Sequence, residues 1–272
     1  MSIIEASNLY KHYTEGFDVL QNVSFDLEEG ELVVLVGASG CGKTTLLKMI
    51  NKLIPVSDGV IRVHGKKLSD WNTIELRRSI GYVIQQTGLY PHMKIDRNIG
   101  FVPFVKGIKK SVWKEKAREL IRLVGLDESY LSRYPRELSG GEAQRIGVAR
   151  ALAADPDIIL MDEPFGAVDE ITRKKLQDEL KRLHKKLRKT ILFVTHDIDE
   201  ALKLGDRIIL FNKGNIEQIG TPEELVFSPK SDYVEEFFGV KGFKASLDED
   251  KLQKMYKSIL EGKIDKDHMF KS

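Results

Sequence analysis

The sequence predicts an α/β protein with a mainly parallel sheet, an N-terminal antiparallel β edge and an inserted α-helical subdomain. Short apolar runs rich in valine and isoleucine alternate with segments of helical periodicity, as in buried parallel strands joined by helices. The strand-like runs are residues 32–36, 80–84, 158–161, 191–195 and 208–211. The helical segments between them are residues 44–53, 141–154 and 172–187.

Two regions depart from this alternation. Around Val23, Phe25 and Leu27 apolar residues alternate with polar ones between glycine turns, which predicts the antiparallel edge. From about residue 89 to 154 strand signals fade and helical periodicity dominates, so we expect the helical subdomain there. The predicted division is one domain over residues 1–240, carrying that insertion, and a C-terminal tail over residues 241–272.

The tail has a helix signal of its own. Ser246 and Glu249 have the spacing of a capping box, and apolar residues then recur on one helical face. We expect an amphipathic helix over about residues 247–261, too short to be stable unless its apolar face docks on something. The chain's own core and a dimer contact or regulatory surface are both open as the docking site.

Composition excludes several classes of protein. The chain has 272 residues, with 43 basic against 41 acidic ones, and a net charge of +2 does not indicate a nucleic-acid or polybasic membrane surface. We therefore expect no nucleic-acid partner. The longest apolar runs are strand-sized, the N-terminus lacks the features of a signal peptide, and one cysteine excludes an internal disulfide framework. These features predict a cytoplasmic protein.

A phosphate-binding motif follows the first strand-like run. Residues 37–44 fit G-x-x-x-x-G-K-[ST] between a predicted strand and a predicted helix, which is the context of a P-loop. Lys43 would reach the β- and γ-phosphates of ATP, and the Thr44 hydroxyl is placed for Mg²⁺. This predicts a P-loop NTPase core of the RecA-like type. The expected nucleotide contacts here are Gly37, Ser39, Gly40, Cys41, Gly42, Lys43, Thr44 and Thr45. The Cys41 thiol itself is expected only to fill space, because hydrolysis needs no thiol.

Two carboxylates end another apolar strand, and a histidine follows the next one. Open α/β sheets bind ligands at the carboxyl ends of their strands. We therefore expect Asp162 to hold Mg²⁺, directly or through water, and Glu163 to activate or orient the attacking water. His196 lies at the carboxyl end of the run at residues 191–195, which would bring it near both carboxylates.

A second element suited to anions lies far downstream, at residues 138–145, with the sequence Leu-Ser-Gly-Gly-Glu-Ala-Gln-Arg. It offers backbone N–H groups, a serine and a helix N-terminus. One glycine-rich loop holds one nucleotide, so the economical explanation is that each element supplies half a site. Two copies of the chain would then sandwich two nucleotides. In these motifs the chain resembles the ATP-binding-cassette ATPases along nearly its whole length.

The resemblance implies an interface of a head-to-tail homodimer. Ser139, Gly140 and Gly141 would bind the γ-phosphate that the opposite protomer holds. Asp169 resembles the aspartate that crosses the dimer interface. Glu142 departs from the commoner pattern, which has glutamine, and a carboxylate near a triphosphate weakens closure unless its side chain points away.

The resemblance also implies roles around the nucleotide itself. Tyr13 resembles the aromatic residue that stacks on adenine, with Tyr10 as the weaker candidate. Gln85 looks like the glutamine that reaches both Mg²⁺ and the attacking water. His196 would sense the γ-phosphate and act together with Glu163.

Residues 82–93, 162–173 and 195–201 resemble, more narrowly, the ATPase subunits of glycine betaine, carnitine and choline importers. This implies ATP-powered uptake of a quaternary-amine osmoprotectant through separate transmembrane permease subunits, with a solute-binding protein as an indirect partner, at the cytoplasmic face of the membrane. An importer of another solute and a non-transport ATPase of the same family are the alternatives. Leu89, Tyr90 and Met93 would either form a groove for a permease helix or pack inside the helical subdomain.

Overall fold

The computed structural model describes residues 2–14, 17–85, 88–166, 168–246 and 257–258. The predicted tail helix over residues 247–261 therefore lies almost wholly outside the described residues. Within the described residues, no helix is long and apolar enough to cross a membrane.

The strands and helices found in these ranges are numbered in chain order. The strands are β1 (Ser2–Thr14), β2 (Phe17–Glu28), β3 (Leu32–Gly37), β4 (Asp58–Val63), β5 (Lys66–Lys67), β6 (Ile80–Val83), β7 (Ile158–Asp162), β8 (Thr190–Val194), β9 (Arg207–Asn212) and β10 (Asn215–Gly220). The helices are α1 (Lys43–Ile50), α2 (Thr73–Ser79), α3 (Ile95–Ile99), α4 (Phe101–Val105), α5 (Lys110–Leu123), α6 (Gly140–Leu152), α7 (Glu170–Leu187), α8 (Ile198–Leu204), α9 (Pro222–Phe227) and α10 (Asp232–Ser246).

A central sheet runs in the order β10-β9-β3-β8-β7-β6. Its strands from β9 to β6 pair in parallel, and β10 joins β9 as an antiparallel edge strand. Every residue of β3, β7 and β8 is buried, as expected for parallel strands covered on both faces. The carboxyl ends of these strands consequently meet at one edge of the sheet, and this edge carries the candidate site.

A second, antiparallel sheet runs in the order β2-β1-β4-β5. The predicted antiparallel structure at the N-terminus is thus confirmed, and it extends further than expected because β4 and β5 also join it. The two sheets meet where the Gln21 N–H donates to the Gly214 carbonyl oxygen at 2.9 Å. This contact joins β2 to the turn between β9 and β10.

Between β6 and β7 the described residues contain helices and turns but no strand. Helix α5 buries Ala117, Leu120 and Ile121 in the main core cluster, which contributes roughly 1.5–3 kcal/mol for each of the two large side chains, and it buries Trp113 beside Gly100. Helix α6 begins at Gly140, and Ser139 caps it. The α/β class with its helical insertion is confirmed, while the boundaries 89–154, 1–240 and 241–272 stay predictions.

Candidate functional site

The loop after β3 depends on glycine. Gly42 adopts φ of 109°, and a Cβ there would lie 2.6 Å from Leu20 Cδ2 and 2.8 Å from the Val19 carbonyl oxygen. Gly42 is also the N-cap of α1 and supplies no side-chain hydrogen bond to it. The first N–H groups of α1 therefore face the loop without a side-chain acceptor, as an anion-binding helix N-terminus requires.

Lys43 lies inside this loop with only 4% of its surface exposed. Its Nζ donates to the carbonyl oxygens of Gly37 at 2.8 Å and Ala38 at 2.9 Å, and it lies 3.5 Å from the buried Cys41 Sγ. These partners are neutral, so the lysine charge is not cancelled by them. A buried cation ringed by backbone groups fits a triphosphate.

Other predicted loop contacts surround this cation. Ser39 and Gly40 are exposed, and Thr45 is half-buried in the first turn of α1. A Cβ at Gly40 would meet nothing within 4 Å, so the loop leaves open space on that side. Their predicted contacts with nucleotide stay predictions.

Thr44 and Asp162 meet where the helix after β3 begins and β7 ends. The Thr44 hydroxyl donates to Asp162 Oδ1 at 2.8 Å. Burial is the main cause that raises the pKa of Asp162, and the adjacent Glu163 carboxylate adds to the rise. The hydrogen bond from Thr44 and two nearby lysines oppose it. A bound cation would stabilise this charge, and Mg²⁺ favours a carboxylate together with phosphate oxygens, so the pair fits a Mg²⁺ site.

Glu163 is held from two sides. Gln85 Nε2 donates to Glu163 Oε2 at 3.1 Å, and His196 Nδ1 lies 3.3 Å from Glu163 Oε1. The backbone of Glu163 adopts a left-handed φ of 42°, and its N–H donates to the Val194 carbonyl oxygen at 3.0 Å. The ends of β6, β7 and β8 thus bring the three predicted catalytic residues together. The Glu163 side chain keeps 22% of its surface exposed, which leaves access for water.

A buried network that the sequence pattern did not indicate fixes the residue before His196. The Thr195 hydroxyl donates to Glu200 Oε2 at 2.6 Å, and Gln177 Nε2 donates to Glu200 Oε1 at 3.2 Å. Burial raises the pKa of Glu200, against the effect of these hydrogen bonds. Arg173 Nε lies 4.0 Å from Glu200 Oε1 and extends the network toward the start of α7.

The anion-binding element predicted at residues 138–145, called the signature below, forms the N-terminus of α6. Ser139 caps this helix: its Oγ accepts from the Glu142 N–H at 3.4 Å, and Glu142 Oε2 accepts from the Ser139 N–H at 2.7 Å. Glu142 Oε1 accepts from the Tyr130 hydroxyl at 2.6 Å. The carboxylate is therefore hydrogen-bonded within its own chain, and no spacing in the sequence indicated its tyrosine partner.

A cavity of about 380 Å³ lies beside the signature and is lined by Ser139, Gly140 and Gly141 together with Asp169. Asp169 also caps α7, since its Oδ1 accepts from the Thr172 N–H at 3.0 Å. Hydrogen bonding around Thr172 lowers the pKa of Asp169. The lining residues lie between positions 126 and 172, so none of the P-loop residues 37–44 lines this cavity.

Tyr13 is 57% exposed and Tyr10 is 37% exposed. Lys11 is buried at 6% exposure, and its Nζ lies 4.9 Å from the centre of the Tyr13 ring. The lysine supports one face of that ring and leaves adenine stacking on the other as a prediction. Alternation along β1 alone did not reveal this contact.

Residues 20–166 match the sequence profile of a family described as ABC transporter. The chain belongs to the ABC transporter family. It is 52% identical over 237 residues to the choline transport ATP-binding protein OpuBA of Bacillus subtilis (strain 168), which covers 87% of this chain and 62% of that protein. The glycine betaine/carnitine/choline transport ATP-binding protein OpuCA of the same organism gives the same identity and coverage.

Two further comparisons agree with this ABC assignment. The osmoprotectant import ATP-binding protein OsmV of Salmonella typhimurium (strain LT2) is 50% identical over 242 residues, covering 87% of this chain and 63% of that protein. The chain thus spans about three fifths of the length of these curated relatives. A dimeric structure of the ATP-binding cassette MJ0796 bound to ADP and Pi superposes with a TM-score of 0.73 at 35% identity, covering 80% of this chain and 98% of that one. The predicted P-loop NTPase fold is confirmed.

Proposed function

We propose that this chain is the ATP-hydrolysing subunit of an ABC importer. The observation that carries the proposal is the placement of Glu163 between Gln85 and His196, beside the pair formed by Thr44 and Asp162. A carboxylate with exposed surface, fixed next to a magnesium-type site, is arranged to accept a proton from an attacking water.

The residues divide the work of hydrolysis. Lys43 and the N–H groups of α1 bind the phosphates, while Thr44 and Asp162 would hold Mg²⁺. Mg²⁺, when bound, neutralises phosphate charge and fixes the phosphates in place. Glu163 takes the proton of water, and Gln85 and His196 orient its carboxylate by their contacts with its two oxygens. Adenine would stack on Tyr13.

We further propose that two copies act head to tail. The signature cavity has exposed Ser139 and Gly140 and lies apart from the chain's own P-loop. A partner's γ-phosphate would therefore complete it, with Asp169 at the interface. The dimeric form of the MJ0796 cassette supports this arrangement.

A groove of about 490 Å³ is the proposed contact with the permease subunits. Met93, Phe101, Phe104, Ile108 and Trp113 line it, and Phe104 is 63% exposed. An apolar groove of this kind suits a short helix laid across it. Leu89, by contrast, packs against the core. Contact with a permease would hold the chain at the cytoplasmic face of the membrane, and a solute-binding protein would act only indirectly.

The proposed solute is a quaternary-amine osmoprotectant such as glycine betaine, carnitine or choline. Support comes from the transport functions for which the relatives are named, at 50% to 52% identity. No residue of the ATPase core would touch the solute, so an importer of another solute is the alternative. Uptake by cells that express the chain with its permease distinguishes the two.

Glu163→Gln tests the hydrolytic role. The variant is expected to bind ATP normally but to hydrolyse it about 10²–10⁴-fold more slowly, the usual loss for a general base. It should also accumulate an ATP-bound dimer in size-exclusion chromatography. Glu119→Gln is the matched control, because that carboxylate is exposed in a surface ion pair with Lys116. Turnover near that of the wild type in Glu163→Gln would refute the assignment.

A mixing experiment tests the split site. Ser139→Arg is expected to spare ATP binding by the monomer and to block ATP-driven dimerisation. A heterodimer with a Lys43→Ala chain combines both defects in one site and leaves the other intact, so part of the activity should return. Normal hydrolysis by Ser139→Arg alone would contradict the shared site.

A further inference from the structure

Glu142 places a negative charge on the element that would receive the partner's triphosphate. It follows Gly141 directly in the chain. Two like unit charges 8 Å apart repel by about 2 kcal/mol at an effective dielectric constant of 20. A carboxylate free to turn toward the cavity would oppose binding of the γ-phosphate.

Both oxygens of this carboxylate accept hydrogen bonds from groups of the same chain. Oε2 accepts from the Ser139 N–H at 2.7 Å, which is half of the capping box. Oε1 accepts from the Tyr130 hydroxyl at 2.6 Å. The Arg133 guanidinium lies 3.9 Å from the centre of the Tyr130 ring and supports it from the other side. Glu142 is thereby held in one orientation.

The charge states agree with this geometry. The hydrogen bond from Tyr130 is the main cause that lowers the pKa of Glu142, with the Ser139 backbone contributing, so the carboxylate is ionised at neutral pH. The same hydrogen bond raises the pKa of Tyr130, so its hydroxyl keeps its proton and remains a donor.

Packing alone does not account for the hydroxyl. The Tyr130 ring packs against the main core cluster, and phenylalanine would fill the same space. Only the hydroxyl reaches Glu142. One of the two hydrogen bonds that orient the carboxylate therefore comes from a single hydroxyl, twelve residues away in the chain.

We propose that Tyr130 is a positioning residue for the signature. Glu142 lines the signature cavity, and the Tyr130 hydroxyl together with the Ser139 N–H keeps both of its carboxylate oxygens hydrogen-bonded within the chain, so that Ser139 stays oriented for the anion. This rests on the proposed split nucleotide site. In this chain Tyr130 compensates for an acidic residue at position 142.

Tyr130→Phe removes the hydroxyl and keeps the ring. We expect the ATP concentration that half-saturates both turnover and dimerisation to rise about tenfold, because hydrogen bonds to charged groups are among the stronger ones. The maximal rate should change much less. ATP affinity of the P-loop in the monomer and the melting temperature should stay close to the wild-type values. Tyr134→Phe is the matched control, an identical change four residues away.

Glu142→Gln supplies the decisive background. With a neutral side chain at position 142 there is no carboxylate charge to hold in place. Adding Tyr130→Phe in this background should therefore leave the half-saturating ATP concentration nearly unchanged. Dimerisation is followed by light scattering as ATP is titrated, alongside ATPase rates.

Three results would overturn the inference alone, given a wild-type chain that hydrolyses ATP and dimerises with it. The first is a half-saturating ATP concentration of Tyr130→Phe equal to that of Tyr134→Phe. The second is an equal rise of that concentration with Glu142 present and in the Glu142→Gln background. The third is a rise that a lowered melting temperature explains in both of these backgrounds. A wild-type chain that neither hydrolyses ATP nor dimerises with it overturns the proposed function and this inference with it.

Discussion

Asp162→Asn is expected to change stability in opposite directions with and without nucleotide. Asp162 is only 7% exposed, and burial raises its pKa. The folded state therefore holds a proton on this carboxyl more tightly than the unfolded chain does. The folded state loses stability as the pH rises through the raised pKa, and at neutral pH the ionised carboxylate is a net cost. Asparagine removes that cost and still accepts the hydrogen bond from Thr44.

The size of the effect follows from linkage. Each unit by which a carboxyl pKa is raised on folding costs the folded state about 1.4 kcal/mol above both pKa values. A gain of about 1 kcal/mol raises the melting temperature by roughly 2–4 °C for a chain of this size. We expect Asp162→Asn to melt about that much higher than the wild type at pH 7.5 in EDTA, and the difference to shrink as the pH falls below the raised pKa.

Mg²⁺ and ATP should reverse the order. A ligand at 100 times its Kd stabilises the folded state by about 2.7 kcal/mol, and each tenfold loss of affinity removes about 1.4 kcal/mol of that gain. Without the Asp162 carboxylate we expect Mg²⁺–ATP to stabilise the variant less than the wild type, so that the variant becomes the less stable protein.

Thermal unfolding of both proteins, with ATP plus Mg²⁺ and with ATP plus EDTA, measures both effects. Asp178→Asn is the control, since that carboxylate is 69% exposed in a surface ion pair with Lys203. Asp178→Asn should shift the melting temperature by less than about 1 °C and should leave the response to Mg²⁺ unchanged. A variant at position 162 that melts no higher than the wild type in EDTA, or that responds equally to Mg²⁺–ATP, would refute the reasoning.

Three other predictions address surfaces outside the hydrolytic centre. Tyr13→Ala should weaken ATP binding about tenfold in calorimetry, since stacking of a base on an aromatic ring contributes about 1–3 kcal/mol, and Tyr10→Ala should not; equal effects would contradict the assignment. Phe104→Glu should leave ATPase activity of the isolated chain intact and abolish solute uptake with the permease, whereas Val60→Glu, a charge at another exposed apolar residue, should leave both activities intact. Removing residues 247–272 should lower the melting temperature if the tail docks on its own core, and should instead dissociate a nucleotide-independent dimer if it is an assembly contact.

The strands were predictable because burial on both faces makes their sequences continuously apolar. The predicted run at residues 158–161 became β7, one residue longer, and the run at 208–211 became β9, one residue longer at each end. Three strands were not predicted from the sequence. β4 begins with Asp58 and Gly59, which are typical turn residues, β5 has only two residues, and β10 is an edge strand that is only partly buried.

The grouping of the proposed hydrolytic residues was predictable for a related reason. Strand ends in a parallel sheet meet at one edge, so Asp162, Glu163 and His196 could be grouped before any distance was known. The supporting contacts could not be found this way. Tyr130 and Glu142 are hydrogen-bonded across a loop, and Glu200 accepts hydrogen bonds from two separate segments. Such contacts produce no periodic pattern in the sequence.

Arg173 lies between the signature cavity and the segment that carries His196. Its Nη2 donates to the Val168 carbonyl oxygen at 3.0 Å, directly before Asp169 in the signature cavity, and its Nη1 lies 3.5 Å from Asp197 Oδ2, directly after His196. These contacts run from the residue before Asp169 in the signature cavity, through one guanidinium, to the residue after the histidine that lies beside Glu163. Energetic coupling between distant sites is carried by chains of contacts such as this one, and Arg173 is the residue that would carry it between the proposed partner site and His196.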